Sequence, residues 1–312
     1  FCYDSRQVVA GQLFVAVRTA WADGHDYIAD ACRGGAQGVL CERPVELPPP
    51  TTCIVVDDTQ AALADWAKFV LLKQGLEVIG VTGSAGKTTA KEAIARVLAE
   101  VLPVFRSPAN YSGRFGLPIA LGWLQPEHRL AVLEMACDSL GEMADLIRLA
   151  NPRHGVVLNV SEAHLETLGC LETIAQEKGR LVEGLPTDGW AVLNCDDGRV
   201  AEMAGRTAAR VLKVGLSPDA DIRATNVRAT EGGLSFELVA GGKSEQVSCG
   251  LLGRHNVYAL LAAAALGLIY GLDLPRIAAA LGDFQPLAGR LRPLQGRNGS
   301  LVLDDTYSST PA

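Results

Sequence analysis

Between positions 76 and 214 the chain repeats one hydrophobic phrase. A short, almost wholly apolar run is followed by a longer stretch in which apolar residues return every three or four positions. The runs at 76–81, 130–134, 155–160, 191–194 and 211–214 predict strands covered on both faces. Helical spacing follows at 91–98, 141–149 and 172–183. Strand–helix alternation implies a mostly parallel sheet with helices on its faces. Such sheets take their ligands at the carboxyl ends of the strands.

The pattern differs on either side. Strand-like runs at 12–17, 38–41 and 53–56, with helical stretches at 27–33 and 61–72, predict a small α/β domain over positions 1–75. At 222–227, 234–238 and 245–249 the period shortens to two, with Gly-containing turns between, which predicts an antiparallel subregion. A buried helix follows near His255 and another over 275–281. The stretch 289–299 reads as a linker and 301–303 as the first strand of another domain. The expected organisation is therefore an N-terminal domain (1–75), a central α/β domain (76–288) and a hinge with one further strand (289–312). The chain starts at Phe1 and stops after Pro311-Ala312, so it reads as a fragment of a longer polypeptide.

One stretch carries most of the chemistry. The strand Val78-Ile79-Gly80-Val81 runs into Thr82-Gly83-Ser84-Ala85-Gly86-Lys87-Thr88-Thr89, and a helix follows. Backbone N–H groups of such a turn and of the helix N-terminus can point at phosphate oxygens. Lys87 adds positive charge near the outer phosphates and Thr88 a hydroxyl for Mg²⁺. Val81 stands where the common phosphate loop has its first glycine, so the working core is Gly83-x-x-Gly86-Lys87-Thr88.

Composition narrows the partners. Apolar residues make up 48% of the 312 positions and charged residues 20%, as in a globular protein with substantial cores. The net charge of −7 argues against bulk nucleic-acid or acidic-membrane binding, so a phosphate ligand needs local positive charge. No apolar run approaches a membrane span. Eight cysteines, none in a Cys-x-x-Cys pair, read as reduced core residues of a cytoplasmic protein.

Other candidates stand beside the predicted strand ends. Glu134 closes a strand and reads either as a carboxylate placed to hold Mg²⁺ or as a helix-start or surface carboxylate. His164, just past the third strand, reads either as a ligand for a second metal or as a hydrogen-bonded loop histidine. Lys178 taken alone reads as a solvated helix lysine. His154 reads as structural, and His25, His128 and His255 carry no separate signal. Arg290 is unremarkable by itself, and Asp304 and Asp305 follow an apolar strand.

In order along the chain, these motifs resemble the Mur ligase family of peptidoglycan synthesis. The resemblance rests on Asp4-Ser5-Arg6, Asp23-Gly24-His25-Asp26-Tyr27-Ile28, the Thr82–Thr89 loop, Glu134-Met135-Ala136, and Ala163-His164-Leu165-Glu166. It continues through Lys178-Gly179, Gly253-Arg254-His255-Asn256, Gly289-Arg290-Leu291 and Asp304-Asp305-Thr306-Tyr307. Within the family the chain is most similar to the member that joins D-alanyl-D-alanine to a UDP-N-acetylmuramoyl tripeptide. The resemblance implies an ATP-dependent ligase acting through an acyl phosphate, in the cytoplasm, as a monomer, without nucleic acid or an integral membrane segment. A family member adding a single amino acid, or a nucleotide-binding paralogue that ligates nothing, are the alternative readings.

The resemblance also implies roles. Thr82, Gly83, Ser84, Ala85, Gly86, Lys87, Thr88 and Thr89 would hold the phosphates. Thr88 and Glu134 would serve one Mg²⁺ and His164 a second. Lys178 would be carbamylated, turning a cation into a carboxylate-like group. Asn256 would meet the adenine, and Arg290 and Asp305 the phosphates and ribose. Ser5, Arg6, Asn110 and Tyr111 would bind the UDP-linked substrate. The chain departs from the family pattern at Arg114, Ala259, Ser308 and Thr310, which bears on substrate specificity. The family's C-terminal Rossmann-like domain is essentially absent from these residues, so the isolated chain is expected to be nearly inactive in ligation.

Overall fold

The computed structural model describes residues 1–19, 22–108 and 111–307. In chain order the elements are β1 (Leu13–Val15), α1 (Ile28–Arg33), β2 (Gly38–Cys41), β3 (Thr52–Val55), α2 (Thr59–Gln74), β4 (Glu77–Thr82), α3 (Lys87–Leu98), β5 (Val104–Arg106), α4 (Gly116–Ala120), β6 (Leu130–Glu134), α5 (Glu142–Ala150) and β7 (His154–Val157). Then come α6 (Leu165–Leu168), α7 (Leu171–Glu183), β8 (Trp190–Asn194), α8 (Gly198–Glu202), β9 (Arg210–Gly215), β10 (Ile222–Thr230), β11 (Gly233–Ala240), β12 (Lys243–Cys249), α9 (Val257–Ile269), α10 (Leu274–Gly282), β13 (Arg292–Gln295) and β14 (Leu301–Asp304). The chain divides into two compact units, residues 1–75 with 111–126, and residues 76–110 with 127–312.

In the first unit β1, β2 and β3 form a parallel sheet in that order. Alternate side chains of β1 serve opposite faces. Phe14 and Ala16 pack with Ile28, Ala31 and Val39, whereas Val15 and Val17 pack with Leu40, Leu63 and Ile119. Ile119 lies on α4, so the segment 111–126, which the sequence reading kept in the central domain, completes this core. His25 is a strut: its Nδ1–H donates to Asp23 at 2.5 Å and its Nε2 accepts from the Glu42 N–H at 2.8 Å.

The second unit is built on nine strands in the order β12-β11-β10-β9-β8-β7-β4-β6-β5. From β9 to β5 all neighbours are parallel. The predicted antiparallel subregion does not form a sheet apart. β10 joins β9 in parallel, and β11 and β12 extend the same sheet antiparallel. On one face α3 packs against α9. A Cβ at Gly267 would lie 2.8 Å from Val97 Cγ1 and 2.9 Å from Ile277 Cγ1, so only glycine allows this approach. Residues 289–299, read as a linker, contain β13, which pairs antiparallel with β14. The sequence pattern missed β5 and β13 because three or four residues with charged or proline members carry little periodicity.

His154, expected to be structural, ties four elements together. Its Nδ1 accepts from the Trp190 N–H at 3.1 Å and its Nε2 faces Glu77 at 3.2 Å. Glu77 also accepts from Tyr270 and pairs with Arg153 at 2.9 Å. Hydrogen bonding from His154, then from Tyr270, holds the Glu77 carboxyl down at about 2. Its stabilising contribution is therefore complete above the ordinary carboxylate range and is lost as pH falls from about 4.5 through about 2. Glu77→Gln is expected to lower unfolding stability at pH 7 by about 1–3 kcal/mol. The gap from wild type should shrink as denaturant titrations move from pH 5 to pH 2.

Candidate functional site: a phosphate loop at the end of the parallel sheet

β4 lies between β6 and β7 in the parallel part of the sheet, with Val81 in register with Glu134 and Thr82 with Val157. Their carboxyl ends meet where residues 83–86 turn into α3. The helix starts at Lys87, four residues earlier than the sequence spacing predicts, so Lys87 and Thr88 sit in its first turn. Its cap is Gly86 at φ +79°, with no side-chain capping bond. An L-residue there costs roughly 1–2 kcal/mol. A Cβ at Gly83 would lie 3.0 Å from Leu158 Cβ, so the turn presses against the end of β7.

The Lys87 ammonium folds back over the turn and donates to Gly83 O at 2.9 Å and Ser84 O at 3.2 Å. Burial, and next the charge of Lys178, bring its pKa down to about 8, against a smaller upward pull from Glu134. Thr88 donates its hydroxyl to Glu134 Oε2 at 2.8 Å and accepts from Arg290 Nη2 at 2.8 Å. Arg290 also lies over the Tyr307 ring, 4.5 Å from its centre. Asp304 and Asp305 fix the backbone on either side of Arg290, accepting from Gly289 N at 3.0 Å and Leu291 N at 3.2 Å. The structure thus brings Arg290 to the phosphate loop.

Lys178 is not solvated, as its helix context alone suggested. It is 1% exposed, and its ammonium reaches the Cys137 thiol at 3.8 Å. The neighbouring Glu177 carboxylate is turned to Gly141 N and Arg180. Among the described residues no carboxylate pairs with this ammonium, and burying an unpaired charge is costly, so this position suits an anion or a charge-changing modification. His164, at φ +59°, lines a cleft of about 450 Å³ with Asp138, Glu162, Leu165, Glu166 and Thr167. Burial, then the charges of Lys178 and Lys87, push its pKa down, which favours the neutral imidazole that can ligate a metal.

The residues present fit a magnesium–triphosphate. The Thr88 hydroxyl and Glu134 carboxylate form a hard-oxygen pair of the kind Mg²⁺ takes. Lys87 is buried and feels the positive charges of Lys178 and Arg290, so three cations stand near one space. Thr82, at the strand end, is fully buried with Oγ1 unpartnered among the described residues. Among those residues no group of three or more His, Cys, Asp or Glu side chains converges as a ready metal cage.

The N–H groups of Ser84 and Ala85 are engaged by Asn159, through its O at 3.0 Å and its Oδ1 at 2.9 Å. These two residues therefore set the path of the turn and do not offer free amides. Thr89 is buried in α3. Asn256 donates to Leu252 O at 2.7 Å, bracing the turn into α9. In the first unit Asp4 caps a short 3₁₀ turn over Ser5–Gln7 and grips the Arg6 side chain at 2.8–2.9 Å. Tyr111 packs edge-on to Tyr3 at 6.0 Å and Trp123 at 5.2 Å. Asn110, Ser308 and Thr310 lie outside the described residues. Cys170 is exposed and so is not a core cysteine. Sequence reasoning missed Asn159, an ordinary asparagine after an apolar strand whose partners lie 74 residues away.

The family model described as Mur ligase middle domain matches residues 81–267, and the model described as Mur ligase family, catalytic domain, matches residues 2–111. The chain is 36% identical to UDP-N-acetylmuramoyl-tripeptide--D-alanyl-D-alanine ligase of Escherichia coli (strain K12), covering 98% of this chain and 68% of that protein. It is 38% identical to the Mycobacterium bovis protein of the same name, covering 99% and 65%. Among solved structures, MurF from Acinetobacter baumannii matches with a TM-score of 0.88 at 29% identity, over 99% of this chain and 68% of that one. MurF ligase from Thermotoga maritima in complex with ADP matches with a TM-score of 0.85 at 29% identity, over 99% and 71%. The chain thus spans about two thirds of the length of these relatives.

A phosphate chain placed against Lys87 will raise its pKa again. Between about pH 8 and 10.5 the free protein holds this lysine largely neutral, so binding there takes up a proton, whereas near pH 7 it does not. Calorimetry of nucleotide binding in buffers of different ionisation enthalpy should show uptake of up to about one proton at pH 9, little at pH 7, and none from this group in Lys87→Met.

Proposed function

The chain belongs to the Mur ligase family, and from that premise we propose that it is the catalytic part of an ATP-dependent ligase joining D-alanyl-D-alanine to UDP-N-acetylmuramoyl-tripeptide in the cytoplasm. The observation that carries this reading is the convergence of Lys87, the Thr88–Glu134 pair, Arg290 and buried Lys178 at the carboxyl end of β4. The names of its relatives support the same substrates.

A carboxylate is a poor acyl donor because its oxide is a poor leaving group. Transfer of the terminal phosphoryl group of ATP to the peptide carboxylate replaces that oxide with phosphate. The amine of the dipeptide then attacks the carbonyl, the amide bond forms and phosphate departs with the bonding pair. Each stage gathers negative charge. Lys87 and the amides opening α3 neutralise and align the phosphates, and Arg290 adds a cation beside Thr88. Thr88 and Glu134 would hold one Mg²⁺ and His164 would serve a second, the metals supplying Lewis-acid charge neutralisation when bound. Carbamylation of Lys178 by CO₂ would replace a buried cation with an anion able to serve that metal region.

Asn256 and Asp305 are assigned to the nucleoside end, and Ser5, Arg6, Asn110 and Tyr111 to the UDP moiety. Tyr3 and Tyr111 offer ring surface of the kind a uracil stacks on.

Product analysis with the full-length protein, ATP, the UDP-linked tripeptide and either D-alanyl-D-alanine or single amino acids tests the acceptor. Amide product with the dipeptide is expected, and product only with a single amino acid would overturn that assignment. Lys178→Ala should lower product formation by about 100-fold or more. Added short carboxylic acids should restore part of it, and a carbamate carbon from labelled bicarbonate should appear in wild type alone.

A further inference from the structure

The turn from β4 to α3 is only four residues long and has no ladder of its own, yet its shape decides where the first amides of α3 point. Asn159, just past β7, supplies three of its bonds. The backbone O accepts from Ser84 N at 3.0 Å, the side-chain Oδ1 accepts from Ala85 N at 2.9 Å, and the side-chain Nδ2 donates to Ala85 O at 3.1 Å. The side chain therefore pairs with one peptide residue as a neighbouring strand would, using donor and acceptor together. The pair Ser84 and Ser161 adds two reciprocal bonds, Ser84 Oγ donating to Ser161 O at 3.0 Å and accepting from Ser161 N at 2.9 Å. Downstream, Val160 N is held by Asp197 at 2.8 Å, so the clamp is itself anchored to the start of α8. The same short segment continues to His164.

We propose that Asn159 is a positioning residue for nucleotide use: its amide holds the phosphate loop open and in register with the His164 segment before any phosphate arrives. The proposal rests on the ATP-dependent reading above. Its chemistry is specific to an amide. An alanine removes both side-chain bonds. An aspartate of the same shape keeps the acceptor for Ala85 N but opposes a carboxylate to Ala85 O and places negative charge beside the phosphates. The isosteric change should thus be at least as harmful as truncation, which a space-filling role does not predict.

The test uses the full-length protein with ATP as probe and three readouts. Amide hydrogen exchange without nucleotide should show Ser84 and Ala85 protected in wild type and exchanging at least about tenfold faster in Asn159→Ala. The ATP dissociation constant and KM should rise about tenfold or more in Asn159→Ala and no less in Asn159→Asp, with the KM for the UDP-linked tripeptide within about twofold of wild type. Rapid exchange at Ser84 and Ala85 in wild type overturns the proposal whether or not the variants fold. ATP affinity unchanged in a folded Asn159→Ala, recovery in Asn159→Asp, or a parallel rise in both KM values also overturns it. Wild type that binds ATP tightly but ligates nothing overturns the ligase reading, while the exchange and affinity results still decide the clamp.

Discussion

Everything at this site depends on a tight turn pressed against the ends of parallel strands. Gly86 supplies the left-handed backbone at the helix cap, and Gly83 lets the turn approach Leu158 without a Cβ in the way. Because the turn is tight, α3 begins at Lys87, and the first-turn side chains lie beside Glu134 on the neighbouring strand. The strand register, Val81 opposite Glu134, places the carboxylate there without help from any loop. The sheet thus determines one half of the site and the turn determines the other.

Charge is the second constraint. Lys87 feels the charges of Lys178 and Arg290, and Glu134 pulls it in the opposite direction. Burial, more than the charges of Lys178 and Arg290, lowers the Lys87 pKa. An anion beside Lys87 is expected to offset that burial and raise its pKa again. The acidic overall charge of −7 keeps this positive region local.

Much of this was legible in the sequence. Strand–turn–helix spacing marks the phosphate loop, and an apolar run ending in Glu134 marks the acid beside it. What was not legible depends on distance along the chain. Arg290 and Thr88 are 202 residues apart, and only the fold shows that they bond. Lys178 sits in a helix with charged neighbours, and its burial comes from packing that periodicity does not show. Asn159 carries no motif because its partners are backbone atoms. The continuation of β10–β12 from the central sheet was hidden because a period of two fixes the strands but not their neighbours. The segment 111–126 joined the first unit through Ile119, a contact with no local signature.

The turn at 83–88 is where magnesium and a triphosphate are expected to sit. A crystal structure of the full-length protein with Mg²⁺ and a non-hydrolysable ATP analogue tests this most directly. The outer phosphates should lie on the amides opening α3 and on Lys87, with Mg²⁺ bound by Thr88 Oγ1 and within reach of Glu134. A triphosphate bound elsewhere, with Thr88 still bonded to Glu134 and Arg290 as in the free protein, would contradict it.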